Sequence, residues 1–424
     1  MKTNESPVRH ARSPLHGSWA RVLRLGAVVA AVALVSGTSI VAITTYSLTS
    51  RIQENSVDIG AEGEAPPPAI GAYEGGFNLL VVGVDNDSGQ TDDDGERGDA
   101  ILNDVNVLLH VSQDHSNAVA VSFPRDLIIP HPECVDPTGG TFESMSARPM
   151  NEAMQRGGLP CVVDTVENLT GLDIPFAGVV TFDAVVQMTN AIGGVPICLT
   201  GRMLDDNVEY VDRDGVKRHL DLPAGITEIS GGEALGFLRS RHGVGDGSDL
   251  GRISSQQQYL SSLVRKIKSN ETLTDLSKLY PLANVVADNV KLSSSLTNVD
   301  TMISMAQALR TIDLDKITFV QYPGTTNDPD FPGKVVPVQS AADQLFALIT
   351  ADQPFQLGAD SQGVGSTTEP SAPADPDVPA DPEGPVDPEV PVDPATPDAG
   401  APPVLEGVTG STAQQETCAI PAEG

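Results

Sequence analysis

Apolar and polar positions alternate along this chain in blocks of strand and helix length. The run FNLLVVGVD from Phe77 is apolar up to Gly83 and Asp85, the pattern of a buried strand whose end carries an acid. Val105–Val111 and Ala118–Phe123 are two more such runs, and the polar Gln113–Asn117 between them predicts a hairpin turn. Helical spacing follows over Cys161–Leu169 and over Phe182–Ile192, the second stopped by Gly193-Gly194. Val195–Leu199 and Ile317–Tyr322 predict strands. Gly231–Phe237, Ser254–Lys268, Leu273–Asn289, Asn298–Arg310 and Ser340–Ile349 predict helices. Strands mixed with helices predict an α/β or α+β domain over residues 76–352, with helices covering the sheet.

The two ends depart from that pattern. Residues 1–24 carry Lys2, Arg9, Arg12, Arg21 and Arg24 against one acid, Glu5, and Leu25–Leu48 has no charged residue. A helix of about 20 apolar residues crosses the hydrocarbon core, so 25–48 predicts a transmembrane helix. Its basic flank stays cytoplasmic, which puts everything after Arg51 outside the cell. A cleaved signal peptide fits less well, because its apolar core would be about 7–15 residues and end in a small-residue cleavage site. Residues 49–75 read as an extracellular polar linker containing Pro66, Pro67 and Pro68. In the stretch 353–424, Asp375, Asp381, Asp387 and Asp393 are each followed by proline at a six-residue step, and no Lys or Arg occurs from Gly358 onward. Such a segment predicts a disordered, self-repelling spacer.

The formal net charge is -32 and aromatics make up 4% of 424 residues, which argues against a nucleic-acid binder. Four cysteines in an exported domain raise the prospect of disulfides. Cys134 and Cys161 lie in Pro/Gly-rich loop segments and are the favoured pair, Cys198 reads as a buried thiol, and Cys418 sits in the disordered tail. No zinc-ligand spacing occurs.

Gly236–Leu260 carries the densest candidate chemistry. Arg239 and Arg241 are two apart, so in an extended segment both leave the same side of the backbone. An anion such as phosphate, whose oxygens match the guanidinium fork, would relieve their repulsion. The plainer alternative is a pair of surface arginines bridged to Asp246 and Asp249. Ser122-Phe123-Pro124-Arg125-Asp126 places Arg125 past a strand end, Asn103-Asp104-Val105 opens a strand with an acid, and Met150-Asn151-Glu152 precedes a Gly-Gly loop.

These segments together resemble the LytR-CpsA-Psr proteins of Gram-positive cell walls. GVD (Gly83–Asp85), NDV, SFPRD, MNEA, LTGL (Leu169–Leu172), GGV (Gly193–Val195), EALGFLRSRH and DLGRISSQQ keep that family's order and spacing over Phe77–Leu260. Asn103 and Ser255 depart from the usual serine and arginine, and an extra acidic loop, Asp92–Asp99, contains Arg97. Alignment on the following Leu108–His110 puts Asp104 at the family's acid position.

The resemblance implies an αβα fold, a central mixed β-sheet flanked by helices, with an apolar tunnel for a polyprenyl chain. Val162–Leu169, Val179–Val186 and Leu260–Ile267 are the candidate tunnel walls, with ordinary core as the alternative. It implies a membrane-anchored phosphotransferase that moves a polyprenyl-pyrophosphate-linked glycopolymer onto peptidoglycan through a phosphodiester. Partners would be that lipid-linked donor, peptidoglycan and membrane lipid, with no nucleic acid. Arg125, Arg239 and Arg241 would bind the pyrophosphate, with Asp126 holding Arg125. Asp85 and Asp104 would hold Mg²⁺ (or Mn²⁺). Arg97, Asn151, Arg252 and Gln256 are candidates for substrate contact, Arg252 alternatively pairing with Asp249, and His242 reads as structural. A polyprenyl-pyrophosphate pyrophosphatase and a transcriptional attenuator are the competing functions, the latter opposed by topology and charge.

Overall fold

The apolar runs assemble into one seven-stranded sheet. The computed structural model describes residues 46–60, 73–84, 101–269, 276–368 and 402–422. Its strands are β1 (Phe77–Val84), β2 (Asn103–Val111), β3 (Ala118–Phe123), β4 (Phe176–Val180), β5 (Val290–Leu292), β6 (Ile317–Gln321) and β7 (Gly410–Thr412). They lie in the order β5-β4-β1-β2-β3-β6-β7. β4 runs parallel to β1 and β6 parallel to β3, while the other neighbours are antiparallel, so the sheet is mixed.

Seven helices have their bounds among the described residues: α1 (Ala153–Thr170), α2 (Phe182–Ile192), α3 (Gly231–Arg239), α4 (Asp249–Ser269), α5 (Leu276–Asn289), α6 (Val299–Thr311) and α7 (Gln339–Thr350). Leu80, Val82 and Val84 of β1 are buried at alternate positions with Leu108, Val121 and Val320, against Val162, Val163 and Val166 of α1 and Leu345, Phe346 and Ile349 of α7. Each such side chain contributes roughly 1.5–3 kcal/mol on burial. Gln321, the next residue after Val320, donates instead to the Leu250 carbonyl and Ser254 hydroxyl of α4. Alternation along a strand therefore puts α4 on the opposite face from α1 and α7.

Local signals set the boundaries. Thr181 caps α2 by accepting from the Ala184 N–H at 3.3 Å, and Gly193 at φ 83° ends it. α1 is broken at Gly157-Gly158. A Cβ on Gly157 would lie 2.8 Å from the Cys161 Cβ and 2.9 Å from the Val135 carbonyl, so only glycine lets the Cys134–Cys161 disulfide close there.

The predicted linker and the predicted tail need correction, while most of the predicted span lies outside the described residues. The chain forms two units, 1–50 and 51–424. In the first, residues 46–50 are helical. The predicted span Leu25–Leu48 lies outside the described residues up to position 45, and among the described residues no helix is long and apolar enough to cross a membrane. In the second unit, the supposed linker begins inside the domain. Arg51 pairs with Asp288 at 2.6 Å, Val57 bridges Ser293, and Ile59 joins the large core cluster. Apolar side chains spaced among the polar ones allow this docking.

The tail 353–424 was expected to be disordered throughout, but 353–368 and 402–422 are folded. β7 covers the edge of β6. Thr417–Ala419 lies between Val195–Leu199 and Ser366–Thr368 in a four-stranded sheet completed by Gly225–Ile229. Cys418 is bonded to Cys198, so Cys198 is no buried thiol and Cys418 lies in no disordered tail. A covalent tie plus strand pairing holds a segment whose composition alone could not build a core.

Candidate active site

β1 ends and β2 begins at the same edge, Val84 facing Asn103, and β3 ends there too, with Phe123 facing Asn106. The carboxyl ends of β1 and β3 thus share one rim, the usual position for ligands in open α/β sheets. Arg125 follows β3 on that rim. Its carbonyl accepts from the Asn151 N–H at 2.9 Å and its own N–H donates to Asp249 Oδ2 at 3.2 Å. Asn103 fixes the neighbouring turn. It donates to the Asn106 Oδ1 and the Met150 carbonyl and accepts from the Met154 N–H, two donations at once that the single proton of a serine hydroxyl could not supply.

Four cations meet three carboxylates here. Arg125 Nη1 lies 2.8 Å from Asp104 Oδ1 and its Nε 3.5 Å from Asp126 Oδ2. Asp126 also takes Lys334 Nζ at 2.6 Å and Arg241 Nη2 at 3.8 Å. Arg252, with Asp249 an i,i+3 pair in which both side chains are 6% exposed, donates to it at 2.5 Å and also to the Asp104 carbonyl at 3.2 Å. Asp249 opens α4, where the helix N-terminus favours a negative charge.

The electrostatics are unbalanced toward positive. Burial pulls the Asp126 carboxyl up, but Lys334, Arg125 and Arg241 outweigh it and hold it below its usual value. Burial likewise opposes the charge on Arg125, and Asp104, Asp126 and Asp249 more than restore it. Arg241 is different. Burial lowers it first, and Arg125 and Arg252 lower it further, with Asp249 and Asp126 only partly compensating. The Nε atoms of Arg125, Arg241 and Arg252 are all buried without a hydrogen-bond partner. Charged donors left without a hydrogen bond in a desolvated site are costly, and an anion at the partly exposed Arg241 guanidinium would offset the excess positive charge.

The expected residues divide as follows. Arg125, Arg241, Arg252, Asp104 and Asp126 converge, and Asn151 joins through its main chain. The pairing of Arg252 with Asp249 is the alternative foreseen for it, and that pair faces the site. Gln256 donates to the Leu238 carbonyl at 3.0 Å, which ties α4 to the end of α3. His242 is exposed. Asp85 and Arg97 lie outside the described residues.

Arg239 requires a correction. It is the last residue of α3, not part of an extended segment, and its guanidinium lies over the Phe182 ring at 4.4 Å. A helical residue followed by the extended Ser240 does not align 239 with 241 as a strand would. Lys334 and the double role of Asp249 were not foreseen. The first sits in a loop with no motif around it, brought in because the Ile128 N–H donates to the Val335 carbonyl and the Val335 N–H to Asp126.

No group of three or more His, Cys, Asp or Glu among the described residues gathers as a metal site. Asp104 stands on the rim beside Arg125, 2.8 Å from its Nη1. Magnesium commonly binds one or two carboxylates and completes its shell with substrate phosphate oxygens, and of the two expected ligands only Asp104 lies among the described residues.

Behind the rim, a cavity of about 860 Å³ is lined in part by Met154, Leu159, Val163, Ile174 and Val179. Burial raises the Asp164 and Glu167 carboxyls on its wall. Val163 and Val179 come from two of the three predicted tunnel walls. The third, Leu260–Ile267, does not line this cavity, and its Leu263 packs on a separate core around Ile197, Leu222 and Phe237.

The chain is thus an α/β domain with guanidiniums clustered at the carboxyl ends of its central strands. The LytR_cpsA_psr family matches residues 35–347, and the chain belongs to it. It is 28% identical over 326 residues to the cell wall biosynthesis protein LcpA of Corynebacterium glutamicum, covering 69% of this chain and 59% of that one. It is 26% identical over 267 residues to the polyisoprenyl-teichoic acid–peptidoglycan teichoic acid transferase TagT of Bacillus subtilis, covering 62% of this chain and 74% of that one. A LytR-Csp2A-Psr enzyme from Actinomyces oris has a similar fold, with TM-score 0.50 and 20% identity over 69% of this chain and 94% of that one.

Proposed function

We propose that this chain is a membrane-anchored phosphotransferase that moves a glycopolymer from a polyprenyl-pyrophosphate carrier onto peptidoglycan outside the cell. The observation that carries this is the trio Arg125, Arg241 and Arg252, each with a buried Nε that makes no hydrogen bond. A diphosphate supplies the several oxygens such a trio calls for, and its charge develops further during transfer. The relatives' names support the substrate class, since TagT is named for transferring teichoic acid from a polyisoprenyl carrier to peptidoglycan.

In this reading an acceptor hydroxyl oxygen forms a bond to the sugar-side phosphorus and the bridging P–O bond breaks. Polyprenyl phosphate departs, taking up the hydroxyl proton. Arg125 and Arg241 bind the diphosphate oxygens. Asp126, held ionised by Lys334 and both arginines, positions those guanidiniums. Asp104 and Asp85 would hold Mg²⁺, which neutralises phosphate charge when bound. Leu25–Leu48 anchors the domain, and the 860 Å³ cavity receives prenyl units. Met154 links the two places, lining the cavity while its N–H bonds Asn103, next to Asp104.

The test uses the full-length protein in lipid nanodiscs with a synthetic polyprenyl-pyrophosphate saccharide and peptidoglycan fragments. Polyprenyl phosphate together with a phosphodiester-linked product is expected, both falling when divalent cations are chelated. Free saccharide phosphate without the conjugate would make the protein a pyrophosphatase, and full activity in excess chelator would remove the metal role of Asp104.

A further inference from the structure

A second cavity, of about 520 Å³, lies between α4, β7 and the chain segments 354–368 and 402–417, within the size range of small-ligand sites. Its lining is dense in amides and hydroxyls, among them Ser254, Gln257 and Gln258 of α4, Gln362, Ser411 and Gln415. Its charged lining residues, Asp315 and Lys316, pair with each other at 3.3 Å. The wall therefore carries no net charge.

Two of the lining amides are buried and incompletely bonded. Gln258 is 3% exposed, and its Nε2 donates at 2.7 Å to both the Cys198 and the Thr417 carbonyls. Those two acceptors fix the amide's orientation, so its Oε1 is an acceptor with no donor. Gln257 is 4% exposed, and its Nε2 is a donor with no acceptor. Both residues line the cavity, and a hydroxyl group donates and accepts at once, so a polyhydroxylated ligand suits a wall built of amides and hydroxyls. Phe355, also on the wall, offers an aromatic face of the kind that packs on the C–H side of a sugar ring.

We propose that this cavity binds an uncharged oligosaccharide. The chemistry is shared by a peptidoglycan glycan strand and by a neutral wall polysaccharide, and the experiment separates them. The inference stands on the cavity wall alone and does not depend on the transferase reading.

Calorimetric titration of the full-length protein in phospholipid nanodiscs tests it, with three probes. They are a β-1,4-linked N-acetylglucosamine tetramer, a galactose tetramer, and a galacturonic acid trimer as charged control. Saturable binding of at least one neutral tetramer is expected, and the tetramer that binds names the source. The charged trimer should bind at least tenfold more weakly.

Gln257→Leu removes an amide whose Nε2 makes no hydrogen bond among the described residues and should weaken binding about tenfold. Ala359→Trp, at an exposed lining position, should abolish binding with the melting temperature unchanged. Arg241→Ala should bind as the parent does, so failure of transfer and failure of this site are read separately. The proposal is overturned if neither tetramer saturates, if both cavity variants bind like the parent, or if the charged trimer binds equally well.

Discussion

On one side of α4, Arg252 joins the guanidinium cluster and Gln256 bonds the end of α3; on the other, Gln257 and Gln258 line a cavity without net charge. At about 100° per residue, 252 and 256 fall close together, and 254, 257, 258 and 261 lie on the far side. Both sides are buried for most of the helix, an unusual position for so polar a sequence, because a helix polar all round normally faces solvent. What differs is how the polar atoms are satisfied. The charged side sets four cations against three carboxylates. The uncharged side holds the C-terminal strand through Gln258. One helix can thus serve two ligands of different chemistry without their fields interfering.

The largest expected effect breaks the charged side alone. Arg241→Ala should lower transfer about a hundred- to thousandfold, the usual cost of losing one donor to a developing negative charge. Its melting temperature should hold, because a cation disfavoured by burial and by two neighbours is being removed. Arg239→Ala should cost much less, since its guanidinium is spent on Phe182 in a contact worth about 0.5–2 kcal/mol. Release of polyprenyl phosphate measures both. Equal losses would place Arg239 back in the cluster and redraw the site.

The next effect breaks the neutral side. Cys198–Cys418 closes a separation of 220 residues and Cys134–Cys161 one of 27. Removing a native disulfide typically costs about 2–5 kcal/mol, more for longer loops. Replacing both Cys198 and Cys418 by serine should therefore lower the urea midpoint more than replacing Cys134 and Cys161. The 198/418 variant should also lose the cavity, because Thr417 and Ser366 would no longer be held beside α4. Transfer per folded molecule should change little. A large loss of transfer would show that the two sides are coupled.

The charged side was far more legible in the sequence than the neutral side, and the reasons are physical. Arg125, Asp104, Asp126, Arg241 and Arg252 sit in short motifs at the ends of strands and helices whose apolar period is plain. The misreading of Arg239 came from placing the end of α3 two residues early. Strand β4 escaped notice because FAGVV runs almost directly into the apolar start of α2. The hairpin Met203–Val211 with Lys217–Leu222 escaped because charges and exposed positions interrupt both strands. Around the cavity, β7, Ser366–Thr368 and Thr417–Ala419 are three residues each, too short for a period to register. They also flank an Asp-Pro repeat whose composition dominates that end of the chain. The Asp249–Arg252 pair is local and legible, whereas Lys334 and the bond from the Arg125 N–H to Asp249 come from tertiary closure, which no local pattern records.

The smallest effect separates the two sides by pH. Asp126 is held below its usual 3.8 in the folded protein. Its contribution to stability is complete above about 3.8 and is lost as pH falls through the lower folded value. Asp126→Asn should thus be less stable than the parent at pH 7, with the gap closing in the acid range below about pH 4. Urea midpoints from pH 7 to pH 2.5 would measure this. A gap of constant size would mean that Asp126 contributes by packing and hydrogen bonding, not by its charge among Lys334, Arg125 and Arg241. Saccharide affinity at the cavity should meanwhile stay flat between pH 5 and 8, because neither Gln257 nor Gln258 titrates. A slope there would mean that a group titrating in that range, and not the two amides, governs binding.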